Sequence, residues 1–255
     1  MQIDLNCDMG EGFGVYTIGS DEQVMPFITS ANIACGFHAS DPETIWKTIK
    51  MAKANGVSVG AHPSYPDLVG FGRRPMEVSP EEVMADVIYQ IGALSAFCKR
   101  EGVKLQHVKP HGALYNKAAA NSAIAVAIAE AIKSVDEDLY MVCLSNSEMV
   151  TAARTTGIKY VEEVFADRAY TREGKLVPRT QAGAVIHDPA LAAERVLTMV
   201  RNRSVVAIDG TTVPINAQTI CVHGDTAEAF EMIRIIKTRL EQENVQLKAF
   251  GAHAV

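Results

Sequence analysis

Apolar and polar residues alternate along several short stretches of this chain. In Ile3-Asp4-Leu5-Asn6-Cys7-Asp8 the apolar set is Ile3, Leu5 and Cys7, so in a strand Asp4, Asn6 and Asp8 project together from the opposite side of the pleat. The pattern recurs: Val57, Val59 and Ala61 oppose Ser58, Gly60 and His62; Val108 and Pro110 oppose His107, Lys109 and His111; Ile220 and Val222 oppose Cys221, His223 and Asp225. Asn32 and His38 share a face more loosely around Ile33-Ala34-Cys35-Gly36. Seven core strands are predicted near residues 2–7, 30–35, 57–61, 105–109, 139–144, 159–165 and 219–222. Residues 205–213 read as a separate hairpin turning at Asp209-Gly210.

Between the strands the helix signals are clear. Asp41-Pro42 and Asp188-Pro189 each set a capping carboxylate before a proline suited to the first helical turn, and Ser79-Pro80-Glu81-Glu82 forms a capping box through Glu82. After Ser79, the apolar stripe Val83, Met84, Val87, Ile88, Ile91 and Leu94 has the spacing of a helix face packed on a sheet. Gly56, Gly102 and Gly157 each stop a helix and lead at once into a strand. Helix, glycine, strand, polar loop, helix is the order of repeated βα units. An open doubly wound sheet would spread the polar strand ends along a crevice, whereas a parallel barrel gathers them on one rim. The barrel is preferred: one domain over residues 1–255, with Asp8, His38, His62, Lys109, His111 and His223 around one mouth.

Composition narrows the function. The chain has 255 residues, 48% of them hydrophobic, which suffices for a large core. A net charge of −6 lacks the basic footprint of a nucleic-acid binder. There is no basic and apolar leader, and no apolar run approaches the ~18 residues of a membrane span. The expectation is a cytoplasmic protein with neither membrane nor nucleic acid as partner. Five scattered cysteines without CxxC spacing read as buried thiols in a reducing compartment.

Burying so many ionisable groups without partners would cost several kcal/mol each, so they are expected to share a wet site. At a strand end Asp8 reads as a base or ligand, while Asp4, deeper in its strand, reads as a structural acceptor. Gly10-Glu11-Gly12-Phe13-Gly14 fits equally a phosphate cradle or a flexible turn. His62 leads into a loop carrying Arg73 and Arg74, either of which could grip a carboxylate or phosphate. Lys109 and His111, two apart on one face, are placed to hold one substrate group, with Lys109 supplying charge to an anion. Residues 166–187 lack periodicity and read as a lid, with Arg168 and Arg179 as its clamp and Arg172 and Lys175 nearby. A serine nucleophile lacks a Gly-x-Ser-x-Gly, and Cys7 faces away from the mouth. Neither HxxxH nor HExxH occurs, so any metal would take ligands from separate strands, such as Asp8, His62 and His111.

The stretches DLNCDMGEGFG, ANIACGFHASDP, GAHPSYPDLVGFGRR, VKPHGALYN, VFADRAYTREGKLVPR and VHGDT, in that order, resemble the signature segments of the LamB/YcsF family. The resemblance implies a distorted seven-stranded parallel β/α barrel related to glycoside hydrolases and deacetylases. It also implies ATP-dependent 5-oxoprolinase activity, shared with B and C subunits, converting 5-oxo-L-proline, ATP and water into L-glutamate, ADP and phosphate, with Mg2+ accompanying the nucleotide. Coupling lactam opening to ATP suggests phosphorylation of the carbonyl oxygen before water attacks. On that chemistry Asp8 is assigned as base, His62 or His111 as acid, and Lys109 with Arg73 as anion contacts. Asn6, Glu11, His38, Arg168, Arg179 and His223 are further substrate or phosphate contacts. There is no GxxxxGK[ST] to locate the nucleotide. The alternatives are a stand-alone metal-dependent deacetylase or amidohydrolase, and a substrate-binding protein without catalysis.

Overall fold

The structure is a computed structural model that describes residues 1–222 and 229–251. Ten strands occur among the described residues: β1 (Gln2–Met9), β2 (Ser30–Ala34), β3 (Ser58–His62), β4 (Leu105–Val108), β5 (Tyr140–Leu144), β6 (Lys159–Phe165), β7 (Ser204–Val206), β8 (Thr212–Pro214), β9 (Thr219–Cys221) and β10 (Gln246–Leu247). They alternate with α1 (Asp21–Val24), α2 (Pro42–Ala54), α3 (Pro80–Glu101), α4 (Gly112–Ala120), α5 (Ser122–Val135), α6 (Glu148–Thr156), α7 (Pro189–Asn202) and α8 (Ala229–Gln242). β1 to β6 follow one another in parallel, and β9 closes the ring by pairing with both neighbours, Thr219 opposite Glu163 of β6 and opposite Asp4 of β1. This closure makes a seven-stranded barrel and excludes the open doubly wound sheet. β10, which the alternation does not announce, adds to the N-terminal end of β1. The expected hairpin is β7–β8, antiparallel and outside the ring. Among the described residues no single helix is long and apolar enough to cross a membrane.

Local chemistry sets the element ends. The Asp41 carboxylate accepts from the amides of Glu43 and Thr44, Asp188 from those of Ala190 and Leu191, and Ser79 and Glu82 close both halves of their capping box. Gly102 and Gly157 end α3 and α6 in the left-handed region. Ile3, Leu5, Cys7 and Met9 of β1, with Ala31, Ile33, Val59, Ala61, Val108 and Ile220, belong to the hydrophobic core that includes the buried faces of the helices. The polar set of the alternation fills the inside of the ring instead.

Hydrogen bonds arrange that interior in tiers. At the bottom, Asp4 accepts from the hydroxyls of Thr29, Ser30 and Thr219, and burial raises its carboxyl to about 6 against those hydrogen bonds. Above it, Asn6 donates to Glu163 (3.0 Å) and Thr219 (2.6 Å) and accepts from Asn32 (2.8 Å) and Lys109 (3.1 Å). The Asn32 oxygen in turn accepts from His107 Nε2 at 2.8 Å. His107 fits because its neighbour is a glycine: a Cβ on Gly60 would stand 2.0 Å from His107 Nε2. Gly60→Ala is therefore expected to destabilise the barrel by about 1–3 kcal/mol, the usual cost of overpacking. A thermal melt reads this as a fall of roughly 2–4 °C per kcal/mol for a chain of this size. An unchanged melting temperature would mean that His107 has room to move.

Candidate active site at the carboxyl-end rim

The top tier stands at the carboxyl ends of β1, β3 and β4, where barrel enzymes keep their chemistry. Asp8 is the last polar residue of β1. Its Oδ1 accepts from Asn32 (2.9 Å) and Lys109 (3.1 Å), and its Oδ2 lies 3.2 Å from His62 Nε2. Beyond β4, the amides of Lys109 and His111 donate to the carbonyls of Ala61 and Pro63, which extends the β3–β4 pairing and presents both side chains to the rim. His62 Nδ1 meets the Lys109 carbonyl at 2.6 Å, His111 Nε2 meets the Phe71 carbonyl at 2.9 Å, and His111 Nδ1 faces His62 Nε2 at 2.9 Å. His38, on the loop after β2, stacks on His111 with ring centroids 3.9 Å apart and planes 7° from parallel. Glu11, on the loop after β1, brings Oε1 to 3.4 Å from His38 Nε2 and 3.6 Å from His111 Nδ1. Burial, reinforced by the neighbouring imidazoles, holds His38 and His111 well below the ordinary histidine range.

The structure changes several assignments. Lys109 is 2% exposed, and its ammonium contacts Glu163 (2.9 Å), Cys221 Sγ (3.0 Å), Asn6 and Asp8 (3.1 Å each). Four partners exhaust three N–H groups, so none remains for a substrate anion. Burial works against that charge, yet Asp8, Cys221 and Glu163 around it hold Lys109 well above its ordinary range. Asn6, with both amide atoms engaged beneath it, is likewise a structural residue rather than a substrate contact. His62 Nδ1 and His111 Nε2 each donate to a backbone carbonyl, so the nitrogens these rings turn towards the site are His62 Nε2 and His111 Nδ1. Gly10 and Gly14 give their amides to the carboxylates of Asp21 and Asp41, so the glycine-rich loop is a turn and not a phosphate cradle. His223 lies outside the described residues.

A cavity of 590 Å³ opens above Asp8, His62, Lys109 and His111. Arg73, Arg168, Lys175 and Arg179 line it, which makes its wall strongly cationic. Arg73 also lies over the Phe71 ring at 5.0 Å. Arg168 is buried and donates to the Val177 carbonyl at 2.6 Å. Arg172 turns away, towards Asp209 on the hairpin. Arg74 is tied to Asp67. The 166–187 segment is anchored at its roots by bridges between Arg168 and Val185 and between Tyr170 and Leu176, with Tyr170 fully buried. The part that overlies the cavity is narrower than expected and runs through Lys175 to Thr180.

Two functional candidates emerge only from the structure, and a third, Lys175, is singled out by it. Glu163 is fully buried beside Lys109 and accepts from the Tyr115 hydroxyl at 2.7 Å. Alternation through Val161, Glu163 and Phe165 points it inward, but β6 shows no apolar opposite face to advertise it. Tyr115 sits on α4, where nothing local marks it. Lys175 is one cation among several in its loop, and only its place on the cavity wall distinguishes it.

The model of the LamB/YcsF family matches residues 3–255. The chain belongs to that family. Relatives include the A subunit of 5-oxoprolinase from Clostridium beijerinckii, 54% identical over 96% of each chain, and that from Symbiobacterium thermophilum, 53% identical over 98% of this chain and 96% of that one. A solved structure described as a lactam utilization protein from Thermus thermophilus is 50% identical, covers 98% of this chain and all of that one, and superposes with a TM-score of 0.94. That agreement extends the LamB/YcsF barrel over the whole ring and its hairpin.

Proposed function

We propose that this LamB/YcsF protein is the A subunit of an ATP-dependent 5-oxoprolinase, acting in the cytoplasm with B and C subunits to open 5-oxo-L-proline to L-glutamate with hydrolysis of ATP. The observation that carries this reading is the cavity itself: a cationic wall of Arg73, Arg168, Lys175 and Arg179 over a floor holding one carboxylate, Asp8. A lactam that bears a carboxylate and is phosphorylated on its carbonyl oxygen is a compact anion, and such a wall would hold and orient it. Asp8 is the group placed to take a proton from attacking water, because its Oδ2 stands at the cavity floor while Oδ1 is fixed from below by Asn32 and Lys109. The relatives named as 5-oxoprolinase A subunits, at 53–54% identity, support the same substrate. The five cysteines, all buried and unpaired, agree with a reducing compartment.

The test is 5-oxoproline-dependent ADP release by this chain alone and then with candidate B and C subunits. Turnover only in the mixture is expected. Full turnover by the single chain would remove the requirement for partners, and ATP-independent lactam opening would favour the amidohydrolase reading. Within the active mixture, Arg179→Ala is expected to raise the apparent KM for 5-oxoproline about 10- to 100-fold, the worth of one charge-assisted hydrogen bond. A parent KM would remove Arg179 from substrate binding.

A further inference from the structure

We propose that Glu11, His38, His62 and His111 form a binding site for one divalent transition-metal ion of the zinc, cobalt or iron class. Among the described residues these four each offer a ligand atom within 4.8 Å of the others, and all four are buried. Backbone contacts orient two of the rings towards a common point. A carbonyl oxygen can only accept, so the short contact from His62 Nδ1 to the Lys109 carbonyl places a proton on Nδ1 and leaves Nε2 with a lone pair. The contact from His111 Nε2 to the Phe71 carbonyl likewise leaves His111 Nδ1 with a lone pair. Those two lone pairs face one another at 2.9 Å. A single cation seated between these two nitrogens would be held by both, with Glu11 Oε1 and His38 Nε2 within reach of the same point.

His38 supplies an independent observation. It is 1% exposed, and neither of its ring nitrogens makes a hydrogen bond among the described residues. A buried polar ring without a hydrogen bond costs about 1–3 kcal/mol, and coordination of a cation by Nε2, which lies 3.4 Å from Glu11 Oε1 and beside His111, would offset that cost. Two of the three imidazoles donate the N–H of the nitrogen turned away from the site to a backbone carbonyl, the arrangement that orients metal-ligating histidines and fixes their tautomers. Three nitrogens and one carboxylate suit zinc or a neighbouring first-row metal; magnesium and calcium prefer all-oxygen sites. The packing around the rings is also tight: a Cβ on Gly72 would stand 2.8 Å from both His111 Cδ2 and His38 Cβ. An ion held here would stand next to Asp8, through the 3.2 Å contact of His62 with that carboxylate.

The site stands apart from the choice of substrate, so its test uses metal alone. The full-length chain is stripped with chelator, titrated with Co2+ and followed by visible absorption, and a second sample is loaded with Zn2+, gel-filtered and analysed for metal. Saturation at one equivalent is expected in both. Zinc-edge X-ray absorption of the loaded parent chain should show imidazole nitrogen and oxygen near 2.0–2.1 Å and no sulfur near 2.3 Å. His38→Ala and His111→Ala should each weaken Co2+ binding by at least about 10- to 100-fold, the loss typical of even an outer partner of a metal site. No saturable uptake by the folded parent chain, a sulfur shell, or parent-like affinity in both folded variants would each overturn the site. The parent-chain titration and spectrum decide the matter should either variant fail to fold.

Discussion

Asp8→Asn is expected to lower complex-dependent 5-oxoproline turnover by about 10²–10⁴-fold, the usual contribution of a general base, while leaving the fold close to that of the parent. The substitution keeps an oxygen to accept from Asn32 and Lys109, and its amide can face His62 Nε2, so no buried acceptor is abandoned. Lys109 retains Glu163 as a counter-ion at 2.9 Å. Steady-state assays with the B and C subunits, paired with a urea melt of the variant chain, separate the two effects. Matching losses of turnover and stability would make Asp8 a structural charge. Near-parent turnover would remove it from the chemistry.

Lys109→Met is expected to act in the other order, on folding first. A role in gripping substrate would predict a stable but inactive variant, whereas the enclosure of Lys109 by Asp8, Glu163, Asn6 and Cys221 predicts a loss of about 3–5 kcal/mol, because Glu163 would be left buried without its counter-ion. The urea midpoint reads this directly. The cause can be checked within the same series: adding Glu163→Gln to Lys109→Met should return on the order of 1 kcal/mol or more, since the uncompensated carboxylate is gone. A parent-like midpoint for Lys109→Met, with turnover lost, would return Lys109 to the substrate.

How much of this was legible before folding depends on the range over which each feature is encoded. The period-two alternation in residues 3–8 and 57–62, and the caps at Asp41, Ser79 and Asp188, are written within a few consecutive residues, and the strands and helices they announce are present. The same local pattern placed Asp8, His62, Lys109 and His111 on one rim, because strand ends in a parallel barrel share a side. What those groups do to one another was not local. Asn6 meets Glu163 across 157 positions and Lys109 meets Cys221 across 112, pairings that exist only once β9 has closed the ring in this register. The protonation pattern of His62 and His111 is dictated by the carbonyls of Lys109 and Phe71, which no spacing of histidines reveals. The sequence by itself determined the elements, their polar faces and the rim. The tertiary structure alone decided that Lys109 is an enclosed counter-ion and that His38 stacks on His111 with Glu11 Oε1 against both rings, since electrostatic partnership depends on distances of about 3 Å between residues that the chain keeps far apart.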